Sequence, residues 1–103
     1  MRFIRELAGY IKEESEGAGT YAKAAVTLQG EGKPNAAQLF YEIAQQELNH
    51  ADKLHELVVK EINAQRNSGV EIPAGMEQVW QWKHEELMDE TAHAKELLSL
   101  YKR

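Results

Sequence analysis

The sequence contains no cysteine and only two prolines. Without cysteine the chain cannot form disulfides, zinc–thiolate sites, iron–sulfur clusters or thiol nucleophiles, so any metal must be held by carboxylates and imidazoles. It also lacks an apolar run near the roughly 20 residues of a membrane span, and residues 1–7 lack the apolar block of a signal peptide. We therefore expect a cytoplasmic protein without a membrane partner.

Basic residues are too few and too scattered for a nucleic-acid partner. The formal net charge is −5, and lysine and arginine alternate with aspartate and glutamate, whereas nucleic-acid binding needs a concentrated basic face. Hydrophobic residues make up 43% and charged residues 28% of the 103 residues, which is typical of a soluble globular protein. A chain of this length builds a modest core, so oligomerisation would help it.

Helix-ending residues are concentrated in two segments, 30–35 and 67–75. Between them remain three stretches, about 2–29, 35–66 and 75–102, with apolar residues at alternating steps of three and four. Helices of this length would be roughly 40 to 50 Å long. We predict an all-α fold, an antiparallel ferritin-like bundle of three long helices in a single domain spanning residues 1–103.

The middle of each predicted apolar stripe is ionisable. Glu14 fills a gap in the first stripe, Glu47 and His50 fill the second, and Glu90 and His93 lie at the centre of the third helix. The second stripe otherwise consists of Ala36, Phe40, Ile43, Leu54 and Leu57. Counted from the two joints, the five ionisable residues lie at similar heights in antiparallel helices. Because a carboxylate in an apolar seam costs several kcal/mol unless it is paired or binds a cation, we predict a metal site.

Two of the helices carry the pattern Glu-x-x-His, at Glu47–His50 and at Glu90–His93. A spacing of three residues turns both side chains toward one side of a helix, so one metal can contact both. Carboxylates can bridge two cations and imidazole supplies a terminal nitrogen, a mixture that suits iron or manganese and also admits zinc. His55 and His84 lack a glutamate three residues before them, and we interpret them as surface or internally satisfied histidines.

Glu14-Ser15, the following Tyr21 and the run Phe-Tyr-Glu-Ile-Ala-Gln-Gln-Glu-Leu-Asn-His-Ala at 40–51 resemble the first two helices of rubrerythrins and related ferritin-like proteins. The resemblance covers roughly residues 1–66. It implies a di-iron site with Glu14 as terminal ligand, Glu47 as bridging carboxylate and His50 as nitrogen ligand. It also implies a ferroxidase-type or peroxide-linked activity, in which dioxygen or hydrogen peroxide oxidises Fe(II).

A complete member of that family has four helices and a second set of ligands, which leaves two alternatives here. In the first, two copies each contribute Glu14, Glu47 and His50, as in encapsulated ferritins. In the second, helix three takes the place of the fourth family helix with Glu90 and His93 as ligands, and another chain covers the open side. Both predict a homodimer or larger homo-oligomer, and iron storage would require an enclosing protein shell.

The competing hypothesis is a non-catalytic helical interaction module. In it, Glu14, Glu47 and His50 form a buried polar layer that fixes the register of the helices. Glu90 and His93 then lie on a solvated face of helix three.

Overall fold

The computed structural model describes residues 2–69 and 74–101, and over these ranges it contains three helices and no strand. They are α1 (Arg2–Gly30), α2 (Pro34–Asn67) and α3 (Ala74–Tyr101). The predicted all-α ferritin-like bundle is confirmed. The observed helix ends lie within one residue of the expected ones, except that the expected end of helix three at residue 102 lies outside the described residues. None of the described helices is both long and apolar enough to cross a bilayer.

The joint between α1 and α2 is a helix stop followed at once by a helix start. Gly32 adopts a φ of 74°, a left-handed conformation that glycine adopts without steric cost. The backbone N–H groups of Gly32 and Lys33 bond to the carbonyls of Gln29 and Leu28, which is the Schellman pattern of a helix C-terminus. Pro34 occupies the first turn of α2, where its missing N–H costs nothing. The turn sends α2 back along α1.

Helix α1 is the centre of the structure. It packs along α2 and along α3, whereas α2 and α3 contact each other at few points. The result is an elongated body of 57 × 19 × 18 Å. Because α2 and α3 occupy two sides of α1, part of the seam between α1 and α2 stays accessible at Glu14 and His50, and we call this accessible edge the outer groove.

The core consists of two apolar clusters separated by a buried polar pair. One cluster is rich in alanines, most of them on α1, and the other contains larger residues such as Ile11 and Leu87. Between them the hydroxyls of Ser15 and Thr91 lie 3.3 Å apart, both buried. Thr91 donates to the Leu87 carbonyl at 2.9 Å, so Ser15 is the donor to Thr91. Along α1, Ser15 and not Glu14 fills the step between Ile11 and Ala18.

The prediction of which face of α2 forms the core was wrong. On α2 the predicted stripe lies at the flank, with Phe40 and Leu54 half-buried and Leu57 exposed. On α3 the buried residues include Leu87, Ala94 and Leu98, while Leu100 is exposed. Small side chains allow helices to approach closely, so the alanine-rich face of α2 faces α1. The buried residues of α2 are Ala37, Tyr41, Ala44, Leu48, Ala51 and Val58.

Candidate metal centre

Glu14, Glu47 and His50 converge on the outer groove between α1 and α2. Glu14 Oε2 lies 3.5 Å from His50 Nδ1, which joins the middle of α1 to the middle of α2. The two side chains are 31% and 58% exposed, so they lie at an accessible edge. We expected these three side chains to be buried in the core, and they are not. The face of α2 that packs into the core lies to one side of Glu47 and His50.

Glycine at position 17 makes room for Glu47. A Cβ built at Gly17 would overlap the Glu47 carboxylate, whereas one built at Gly19 would meet nothing within 4 Å. The Glu47 carboxylate therefore lies against the backbone of α1, one turn beyond Glu14. A glycine inside a helix costs about 1 kcal/mol relative to alanine, and here it allows a carboxylate of α2 to approach α1.

The electrostatic environment of the cluster favours a bound cation. The pKa of Glu47 is raised by burial and, in second place, by repulsion from the Glu14 carboxylate, while His50 acts in the opposite direction. A cation between these groups would favour the ionised form of Glu47 and offset the repulsion. Two carboxylates and one imidazole are also a donor set suited to iron. The donor types of Glu14, Glu47 and His50 therefore suit iron.

Glu90 and His93 lie on another side of α1. They line a groove of about 490 Å³ between α1 and α3, together with Ser15, Gly19 and Lys23 among others. Glu90 is half-buried and His93 is exposed. This groove does not include Glu14, Glu47 or His50, so the five residues do not form one layer inside a single chain. The assignment of Glu90 and His93 as ligands stays a prediction.

A single copy does not provide a ready metal cage. Within residues 2–69 and 74–101, no group of three or more histidine, aspartate or glutamate side chains is close enough to hold a metal. The Glu14–Glu47–His50 cluster is thus three donors facing an open groove. Further donors must come from outside this groove.

A helical bundle with a glutamate on one helix facing a Glu-x-x-His on the next belongs to the class of carboxylate-bridged metal proteins. The chain belongs to the rubrerythrin family, whose family model matches residues 7–103. This is a ferritin-like di-iron carboxylate family, and its members generally bind iron at a di-iron site. The match extends into all three helices, beyond residues 1–66 that carry the resemblance seen in the sequence. No curated protein and no solved structure matches the chain.

Proposed function

We propose that two copies of this chain together form a two-iron site, and that this site oxidises Fe(II) with dioxygen or hydrogen peroxide. The observation that carries the proposal is the convergence of Glu14, Glu47 and His50 on one uncovered groove. Membership of a di-iron family supports the metal, and the open groove supports the second copy.

The number of donors favours a site shared between copies. Di-iron bundles take a glutamate from each of two helices and a Glu-x-x-His pair from each of two others. One chain supplies half of this set, with Glu14 on α1 and Glu47 and His50 on α2. A two-fold axis through the groove would supply the other half, because it repeats the same residues on the partner. The placement of Glu90 and His93 on a different side of α1 argues against the alternative in which helix three completes the site.

The surface around the cluster also suits a second copy. Phe3 and Tyr10 precede Glu14 on the same stripe of α1, at steps of seven and four, and are 48% and 51% exposed. On α2, Leu39 and Leu57 flank the cluster toward either end of the helix and are 55% and 37% exposed. Large apolar side chains that share one exposed face mark an interaction site. Pairing two such faces would bury them and exclude water from the carboxylates.

The residues have distinct chemical tasks in this proposal. By the family resemblance, Glu14, Glu47 and His50 would hold the metal pair, with two carboxylates and one imidazole from each copy as donors. Bound iron supplies one-electron redox chemistry. With Fe(II) as substrate and hydrogen peroxide as oxidant, each Fe(II) gives up one electron, and the peroxide takes up two electrons and two protons to leave two waters. The protein contributes the position of the donors and a dry groove. A chain of this size cannot enclose a mineral alone, so storage of the ferric product requires a surrounding protein shell.

Stopped-flow oxidation of Fe(II) tests the proposal. Protein loaded anaerobically with Fe(II) is mixed with dioxygen or hydrogen peroxide, and the ferric absorbance is followed in wild type, His50→Ala and His93→Ala. We expect fast oxidation in wild type and His93→Ala, and oxidation at the protein-free rate in His50→Ala. Loss of activity in His93→Ala with retention in His50→Ala would instead support the helix-three site. A wild-type rate equal to that of free Fe(II) would refute catalysis.

A further inference from the structure

Two histidines that the candidate iron centre does not use meet between α2 and α3. His55 Nε2 lies 3.0 Å from His84 Nδ1, and the two rings stack with centroids 4.6 Å apart and planes 28° apart. They join two helices that otherwise contact each other little. The pair lies on the α3 side of α2, whereas Glu47 and His50 face the outer α1–α2 groove.

We propose that His55 and His84 bind one divalent transition-metal ion of the zinc type, at a site separate from the candidate iron centre. The separation of the two nitrogens carries the inference. Two imidazoles bound to one tetrahedral zinc ion at about 2.0 to 2.1 Å hold their nitrogens roughly 3.3 to 3.4 Å apart. The observed 3.0 Å differs from this by a few tenths of an ångström. The two ring nitrogens share a hydrogen bond in this structure, whose proton a bound ion would replace, and both residues are only half-buried.

The surroundings of the pair suit a cation. His55 and His84 line a surface groove with Val59, Gln81 and Glu85, so a carboxylate and an amide of α3 border the same space. Water can complete the coordination because the groove opens to solvent. Imidazole and carboxylate donors are those that zinc, nickel and copper accept.

The protonation state of His55 is also suitable. The pKa of His55 is lowered by burial and then by His84, while Asp52 and Glu56 act in the opposite direction. A lowered pKa keeps the His55 imidazole neutral near pH 7, and the neutral ring is the form that binds metal. Asp52 and Glu56 add negative charge close to an incoming cation.

Metal binding here would link α2 to α3 at a point where the fold is otherwise open. A ligand that binds only the folded arrangement stabilises that arrangement. The gain grows with the logarithm of the ratio of the ligand concentration to the dissociation constant. Zinc should therefore stabilise the docking of α3.

The test uses Zn²⁺ alone as the probe and the full chain carrying Glu47→Gln, which weakens the other centre. Calorimetric titration with Zn²⁺ compares three proteins: Glu47→Gln alone, Glu47→Gln with His84→Ala, and, as the control, Glu47→Gln with His93→Ala. We expect one saturable zinc ion per chain, an affinity lower by at least about tenfold in His84→Ala, and no change in His93→Ala. Histidine ¹H–¹⁵N spectra should show Zn²⁺ shifting the ring nitrogens of His55 and His84.

Equal zinc affinity with and without His84, or shifts confined to His50 and His93, would overturn the proposal, as would the absence of saturable binding. If circular dichroism shows that His84→Ala does not fold, His55→Gln takes its place with the same expectations. Iron oxidation measured on His84→Ala in the otherwise wild-type chain should be unchanged. Failure of the zinc site therefore leaves the proposed iron chemistry untouched, and failure of the iron chemistry leaves the zinc site standing.

Discussion

Replacing Glu47 by glutamine should make the metal-free protein more stable at neutral pH and remove its stabilisation by metal. In the folded chain burial and the Glu14 carboxylate raise the pKa of Glu47, so the fold favours the neutral form. A group with a raised folded pKa contributes its stability below its unfolded pKa and loses it as the pH rises through the folded value. Glutamine mimics the neutral form at every pH.

The expected gain is modest because Glu47 is only partly buried. Screening by solvent limits the repulsion between partly exposed charges to about 0.5 to 1 kcal/mol. For a domain of this size such a change corresponds to a rise in Tm of about 2 to 8 °C. The gain should shrink to nothing below about pH 4, where the carboxyl is protonated in the unfolded chain as well.

Thermal unfolding followed by circular dichroism, in chelator and then with Mn²⁺ as a redox-inert probe, measures both effects. Glu13→Gln is the matched control, because it removes the same charge from an exposed position beside Glu14. We expect Glu13→Gln to leave the Mn²⁺-induced rise in Tm intact and Glu47→Gln to abolish it. If Glu47→Gln lowers the Tm of the metal-free protein, the reasoning from burial and charge repulsion is refuted. If it retains the full response to Mn²⁺, Glu47 is not a metal ligand.

Three further substitutions, the first with a matched control, test other parts of the structure. Gly17→Ala should lower the iron affinity measured by calorimetry by about tenfold or more, because the new methyl group displaces the Glu47 carboxylate. The matched control is Gly19→Ala, whose methyl group meets open space. It should leave the iron affinity unchanged and stabilise α1 by about 0.5 to 1 kcal/mol. Tyr10→Arg should weaken self-association by at least about tenfold in sedimentation equilibrium, and an unchanged mass would contradict the proposed pairing face. Thr91→Val should cost about 1 to 2 kcal/mol in urea unfolding, because the buried Ser15 hydroxyl loses its acceptor; a neutral effect would show that the pair does not stabilise the core.

The helices could be predicted from the sequence because their ends are encoded locally. Gly32 and Pro34 stop one helix and start the next within a few residues, and each acts through its own backbone conformation. The proximity of Glu14 to His50 was also within reach, since an antiparallel hairpin brings residues at equal distances from the joint to equal heights. Their observed separation of 3.5 Å agrees with that reasoning.

The orientation of the helices could not be predicted in the same way. Helix α2 carries two adjacent stripes, one of large apolar residues and one dominated by alanine, and periodicity gives greater weight to the large residues. Burial is decided instead by how closely α1 can approach, which favours Ala37, Ala44 and Ala51. The large stripe, with Glu47 and His50 in it, consequently borders the outer groove. Phe40 and Leu54 of this stripe pack against the core from its edge, and Leu57 is exposed; large apolar side chains left exposed beside such an edge favour a partner.

Contacts between distant segments leave no local trace in the sequence. His55 and His84 are 29 residues apart, and Ser15 and Thr91 are 76 residues apart. The serine could have been found as the small residue that continues the apolar steps of α1 between Ile11 and Ala18. The histidine pair could not, because its formation depends on how α3 lies against α2.

The most direct test of the shared iron centre measures the iron content and the mass of the protein in one experiment. Native mass spectrometry of protein loaded anaerobically with Fe(II) should show a pair of chains carrying two iron ions. Glu47→Ala should show chains without iron and with less pairing, while His93→Ala should match wild type. Iron bound at full occupancy to single chains, or retained by Glu47→Ala, would contradict a centre built by Glu14, Glu47 and His50 from two copies.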